Sequence, residues 1–247
     1  MKFIKVNLLR DRKSLLFLLA LTIILSLVYL FIFDNKLFLG GDNAFYYILG
    51  QSLHNNWEYR NIHMPGHPLA NHFPPGYSFL IALEMFFSKS VIWIKVCNGL
   101  WLYGSLILIY LIVRQFTSNK LFSIFCATLT MLNTQILKFS FIMMSEMSFL
   151  FFSLLTLLFV LKSDKKKNEF NRYLFLSIGS LIFSFYIRTQ GVALLGGVAI
   201  LYLLRKKWRS LFITVAGVCM GVIPWFLRGQ SLGGNGYINQ LILKKSI

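Results

Sequence analysis

The sequence predicts an all-α membrane protein of about seven transmembrane helices plus one re-entrant or interfacial helix over residues 75–87, and three observations predict it. Hydrophobic residues make up 57% of the chain and charged residues only 13%, a balance that no water-soluble globule of this size could bury. Apolar runs close to the ~20 helical residues that cross a ~30 Å hydrocarbon core recur along the whole length. The basic residues fall in short clusters between those runs. A net charge of +17 therefore reads as membrane orientation and not as a nucleic-acid partner, which calls for one basic face or stripe.

Residues 1–13 are basic and lead into the first apolar run, 14–33, which is long for a signal-peptide core and is followed by Asp34-Asn35-Lys36 without small residues for cleavage. It reads as an uncleaved signal anchor. Residues 34–74 form a polar loop holding all four histidines (His54, His63, His67 and His72) together with Asp34, Asp42, Glu58 and Arg60. Within it, Gly40-Gly41-Asp42 reads as a turn, a capping aspartate and the start of a helix running to about Leu53. His72-Phe73-Pro74-Pro75-Gly76-Tyr77 opens the apolar segment 75–87, with proline in the first turn where its missing N–H does no harm.

Whether 75–87 crosses the membrane decides the parity of everything after it. If it does not cross, the clusters 1–13, 114–120, 162–172 and 205–209 lie on one side, with five, two, five and four lysines and arginines, 16 of the chain's 25. If it crosses, every later loop flips and the clusters 162–172 and 205–209 are left outside, against the positive-inside rule. The expected spans are then 14–33, 91–113, 121–137, 145–161, 173–187, 191–204 and 211–227, in one membrane domain covering 1–247. Lys95 and Lys138 lie near span ends, where they can snorkel. Cys97, Cys126 and Cys219 lie inside apolar segments and give neither a disulfide framework nor a zinc pattern.

With this parity the polar chemistry gathers on the non-cytoplasmic face. Asp42 is either a helix cap or a carboxylate placed to accept a proton in a partly dry cleft. Glu146, in Met144-Ser145-Glu146, either complements a helix dipole or binds a ligand. Arg188, in Arg188-Thr189-Gln190-Gly191, and Arg228, just past the last expected span, are snorkelling anchors or anion ligands. The histidine spacings follow no metal-binding pattern and fit interfacial side chains better than a metal cage.

Gly41-Asp42 followed by Tyr46-Tyr47, then Phe73-Pro74-Pro75-Gly76-Tyr77, Met144-Ser145-Glu146 and Arg188-Thr189-Gln190-Gly191 in this order resembles the polyprenyl-phosphate-dependent membrane glycosyltransferases of C-type fold. That group includes protein mannosyltransferases and aminoarabinose transferases. The resemblance implies a multi-pass enzyme of the plasma (inner) membrane, N-terminus cytoplasmic and active face outside. It would transfer a sugar, with inversion, from a polyprenyl phosphate to the hydroxyl of a glycan, lipid or protein acceptor. On this sequence Asp42 would be the general base and Glu146 the second acid, holding the acceptor or a divalent cation together with Asp42. Arg188, Arg228 or His72 would meet the donor phosphate, and Tyr46 or Tyr47 the sugar. Members usually continue into further helices, whereas residues 229–247 read as the beginning of an outer loop, so the expectation is an N-terminal module lacking a C-terminal portion, with a separate C-terminal half as a partner. The alternatives are a non-catalytic fragment, or a transporter or scaffold handling lipid-linked sugars.

Overall fold

The computed structural model of the chain describes residues 12–33, 36–37 and 42–232, with Leu15 by its backbone alone. The basic stretch 1–11, Asp34, the Gly40-Gly41 turn and the tail after 232 lie outside the described residues. The described chain is helical, with an isolated antiparallel bridge between Arg60 and Leu69. Its elements are α1 (Arg12–Ile32), α2 (Asn43–Asn56), α3 (Gly76–Glu84), α4 (Val91–Val113), α5 (Lys120–Met131), α6 (Thr134–Phe141), α7 (Glu146–Asp164), α8 (Arg172–Ile187), α9 (Gly191–Leu204) and α10 (Trp208–Ser231).

Four of these helices, α1, α4, α7 and α10, are long and apolar enough to cross a membrane, and a fifth span results if α5 and α6 count as one broken pass. Helices α8 and α9 are equally apolar but have only 16 and 14 residues. At 1.5 Å per residue that is about 24 and 21 Å, short of a ~30 Å core. The outer faces of α1 and α10 are greasy: Leu30, Phe31, Phe212 and Met220 are all more than two-thirds exposed, as lipid-facing side chains are.

The expected span 121–137 is not one helix. Asn133 interrupts it, its side chain accepting the N–H groups of Gln135 and Ile136 to start α6, and the two pieces meet at 64°. Such an N-cap satisfies donors that a continuous helix would have bonded internally. At the far end of α6, the buried Asn98 of α4 donates to the carbonyls of Phe139 and Ile142, each at 2.8 Å. Helix α6 is thus held at both ends by asparagines. Two more expectations shift. Arg228 lies inside the last turn of α10, which runs on to Ser231, and Lys95 does not snorkel but is buried, its ammonium donating to the Lys36 carbonyl at 2.8 Å.

Short connections fold successive helices back on one another, and side-chain ties sort their ends. At one end Lys165 bonds Gln115, Lys207 pairs with Asp164 at 3.1 Å, and Glu169 accepts from the N–H of Ser210 at 2.9 Å. These ties bring the basic clusters 114–120, 162–172 and 205–209 together. The opposite end carries α2, α3 and the loop between them. There α3 is nine residues, about 14 Å, so it lies against the bundle without traversing it.

What seats α3 is a glycine. A Cβ on Gly76 would stand 2.5 and 2.6 Å from the carbonyl carbon and oxygen of Tyr186 and 2.7 Å from the nitrogen of Ile187. These are backbone atoms at the end of α8 and cannot swing aside. Two tryptophans of α4 hold the other end of α3: Trp93 donates to the Glu84 carbonyl at 3.0 Å, and Trp101 to its carboxyl at 3.3 Å. Gly76→Ala is therefore expected to lever α3 off α8 at a cost of about 1–3 kcal/mol, the range for overpacking a close contact. A lowered thermal midpoint in detergent checks this, with Gly179→Ala, where nothing lies within 4 Å, as the unaffected control.

Candidate functional site

Asp42 stands at the N-cap of α2 with helical φ and ψ of −71° and −5°, and its side chain makes no capping bond. The capping role is therefore not its role here. Among the described residues the carboxylate has neither a hydrogen bond nor an ion pair, and it is exposed at the mouth of a small cleft.

Across that cleft lie the start of α7 and the end of α8. Arg188 follows α8 in an extended conformation, and its Nη1 meets Glu146 Oε1 at 2.6 Å. The same nitrogen donates to Ser145 Oγ at 3.2 Å, and Nε donates to the Gln190 amide oxygen at 3.3 Å. Glu146 opens α7, where its charge also favours the positive end of the helix dipole. Its other oxygen, Oε2, is buried without a partner. Charge-assisted bonds from one guanidinium to a carboxylate, a hydroxyl and an amide fix its plane and orientation.

Tyr46, one helical turn into α2, closes the third side. Its hydroxyl lies 3.4 Å from Ser145 Oγ, and its ring packs on Phe73 and Tyr77 at 4.9 and 5.0 Å between centres. Burial pushes its pKa up to about 12, against the opposing pull of the Ser145 hydrogen bond and of Arg188, so Tyr46 is a neutral hydrogen-bonding group at any physiological pH. The cleft is about 100 Å³, lined chiefly by Asp42, Tyr46, Phe73, Glu146, Arg188 and Gln190. Phe73 and Pro74 reach it because the Gly76 contact draws the start of α3 onto α8.

Four of the seven residues expected to act at a site thus line one cleft, and three do not. Tyr47 turns away, its hydroxyl donating to the Lys89 carbonyl at 2.9 Å. Consecutive helical residues point about 100° apart, so only one of the two tyrosines could face the site. His72 stands edge-on to Phe73 at 4.4 Å without lining the cleft. Arg228 is a brace: its Nη2 donates to the carbonyls of Tyr59 and Ala70 at 3.3 and 3.0 Å, and its guanidinium lies over the rings of Tyr59 and Trp225. It clips the outer loop to α10 instead of presenting a free charge. Ser145 and Gln190, which the sequence reading assigned no role, orient Arg188; their adjacency to Glu146 and Arg188 was the available signal.

Among the described residues no three His, Cys, Asp or Glu side chains group so as to hold a metal ion. Asp42 and Glu146 do not fit a divalent cation either, because one oxygen of Glu146 is committed to a guanidinium whose positive charge faces the same cleft. The histidines have separate surroundings: His54 beside the Ala82 carbonyl and the Phe86 ring, His63 against Phe45, and His67 in a left-handed turn next to Gly66.

No family model, curated protein or solved structure matches this chain. The cleft must therefore be read from its own chemistry.

One further carboxyl lies near the site end. Burial pushes Glu84, at the end of α3, up to about 8, with the Trp101 hydrogen bond opposing the shift. Its folded pKa lies above its ordinary 4.5, so the native state keeps a proton that the unfolded chain releases. Stability is expected to fall as pH rises through the window from 4.5 to about 8. Thermal melts at pH 5 and pH 8 test this. Glu84→Gln, neutral at both and still able to accept from Trp101, should flatten the difference.

Proposed function

We propose that this protein is an inverting glycosyltransferase that moves a sugar from a polyprenyl-phosphate donor to an acceptor hydroxyl on the non-cytoplasmic face of the plasma membrane. The observation that carries the reading is a free carboxylate, Asp42, sharing one cleft with an arginine oriented by Glu146, Ser145 and Gln190. The ordered motifs that resemble the polyprenyl-phosphate-dependent glycosyltransferases of C-type fold meet at this cleft, which adds to the case.

The chemistry assigns a role to each group. The acceptor oxygen attacks the anomeric carbon while Asp42 takes its proton, and the bond from that carbon to the phosphate oxygen breaks with both electrons leaving on the phosphate. Arg188 stabilises the developing charge of the leaving phosphate, as a fork of donors that remains charged when partly dried. Glu146 acts through Arg188, a positioning role in place of an acceptor-holding one. Tyr46 and Phe73 supply an aromatic wall against which the sugar ring packs. A cleft of about 100 Å³ takes only the reacting end of such substrates, so the lipid chain lies outside it, along the apolar flank of α3.

Seven passes belong to the same proposal. In it α5 and α6 form one broken span, and α8 and α9 cross where the bilayer thins locally. The grouping of three basic clusters at the end away from the cleft supports a cytoplasmic N-terminus, with the cleft outside. A transporter would also use a broken helix and buried polar groups. Here the buried Asn98 is spent on backbone carbonyls at the far end of α6, which favours the enzyme.

Purified protein in nanodiscs, offered a panel of polyprenyl-phosphate sugars, tests the reading. Asp42→Asn should leave the melting point unchanged, because the carboxylate caps nothing, and lower transfer by ~10²–10⁴-fold. Near-normal turnover would remove Asp42 from the mechanism. Arg188→Lys should bind polyprenyl phosphate more weakly at an unchanged fold, since a point charge cannot keep the bonds a guanidinium makes; equal affinity would make Arg188 an interfacial anchor. Donor binding by the wild type without transfer of any sugar would favour the transport or scaffold reading.

A further inference from the structure

At the end of the bundle opposite the cleft a second recess, of about 450 Å³, opens between the 165–171 turn and the start of α10. Lys167, Glu169, Phe170, Arg209, Phe212 and Ile213 line it. The charges divide unequally. Glu169 is occupied, its Oε2 accepting from the N–H of Ser210 at 2.9 Å and from its hydroxyl at 3.1 Å, which pins the turn to the first residues of α10. Lys167 and Arg209 are exposed and, among the described residues, engaged in no hydrogen bond, ion pair or ring contact. The pin holds these two cations, from different elements, on one recess. The neighbouring basic residues are differently placed: Lys162, Lys166 and Arg172 all lie over the ring of Tyr173, at 5.7, 6.0 and 4.9 Å.

Below the cations the surface turns apolar. Phe170 is 64% exposed, Trp208 52% and Phe212 68%. Phe170 is backed edge-to-face by Phe175 at 4.9 Å, which extends the apolar floor. Trp208 and Arg209 are the first two residues of a 24-residue helix long and apolar enough to span a bilayer, so the recess sits at a span end, where headgroups meet acyl chains.

We propose that this recess binds an anionic phospholipid, its headgroup phosphate between Lys167 and Arg209 and an acyl chain along Phe212 and Ile213. Charge complementarity selects the anion, and the exposed aromatic floor selects a lipid over a soluble phosphate. This site does not depend on the chemistry of the Asp42 cleft.

Native mass spectrometry of the whole chain in detergent, titrated with phosphatidylglycerol or phosphatidylcholine, tests it. The wild type should retain phosphatidylglycerol preferentially. Lys167→Gln with Arg209→Gln should weaken that binding about thirtyfold, near fivefold for each cation, and leave phosphatidylcholine unaffected. Both positions are exposed and unengaged, so the variant should elute and melt as the wild type does. Lys162→Gln with Lys166→Gln removes equal charge from the Tyr173 face and should keep the preference. Equal loss in both double variants would mean diffuse surface attraction and overturn the site, as would a wild type with no preference or a Lys167/Arg209 variant that keeps it. Displacement of the lipid by millimolar inorganic phosphate would also overturn it, leaving a site for the free anion.

Discussion

The contact of Gly76 with the backbone of Tyr186 and Ile187 is the constraint on which the site end depends. Two main chains approach there as closely as sterics permit, and only the residue without a Cβ allows it. From that contact α3 runs along the bundle to Glu84, where two indoles of α4 receive it. Behind it, Phe73 and Pro74 are carried to the cleft, and α2 packs on α3 through a second close approach, Gly50 against Ile81. Helix α8 ends within a residue of the same contact, so the extended turn that presents Arg188 is set by the same geometry.

Around this frame the polar groups follow one economy. A chain this apolar can hold charges inside only where each finds a partner. Arg188 has Glu146, Ser145 and Gln190; Arg228 has two carbonyls and two aromatic rings; Lys95 has the Lys36 carbonyl. Glu84, with two tryptophans and no cation, resolves the same problem by holding its proton to higher pH. Asp42, exposed at the mouth of the cleft, stays outside this network, a carboxylate beside an ion pair that takes no part in it.

The two ends of the bundle differ in kind. At the cleft end Arg188, Glu146 and Arg228 are consumed in holding their neighbours, and among the described residues the carboxylate of Asp42 stays outside these ties. At the other end Asp164 and Glu169 tie the turns together, and the surplus lysines and arginines remain outside the network. An electrostatic polarity of this sort orients a membrane protein and at the same time leaves cations available to acidic headgroups.

The sequence by itself determined the helical class and the positions of most helices, because a ~20-residue apolar run has one low-energy form in lipid, and α1, α4, α7 and α10 all fall on such runs. It also gave reason to single out Asp42, Tyr46, Glu146 and Arg188, since acidic and basic residues beside apolar runs stand out from their neighbours. Only the tertiary structure decided which of those residues share a cleft. Tyr47 and Tyr46 are equivalent in composition, and the phase of α2 separates them; Arg228 and Arg188 are both arginines at helix ends, and one is consumed by the Tyr59–Ala70 loop. The break at Asn133 belongs to the same category. An asparagine in an apolar run can hydrogen-bond along its own helix or start a new one; here Asn133 starts α6, and Asn98 of α4 takes the carbonyls of Phe139 and Ile142 that its far end leaves open. Local pattern fixes what a segment is, because solvent and backbone act on each residue alone; what a side chain does depends on partners that only folding brings within reach.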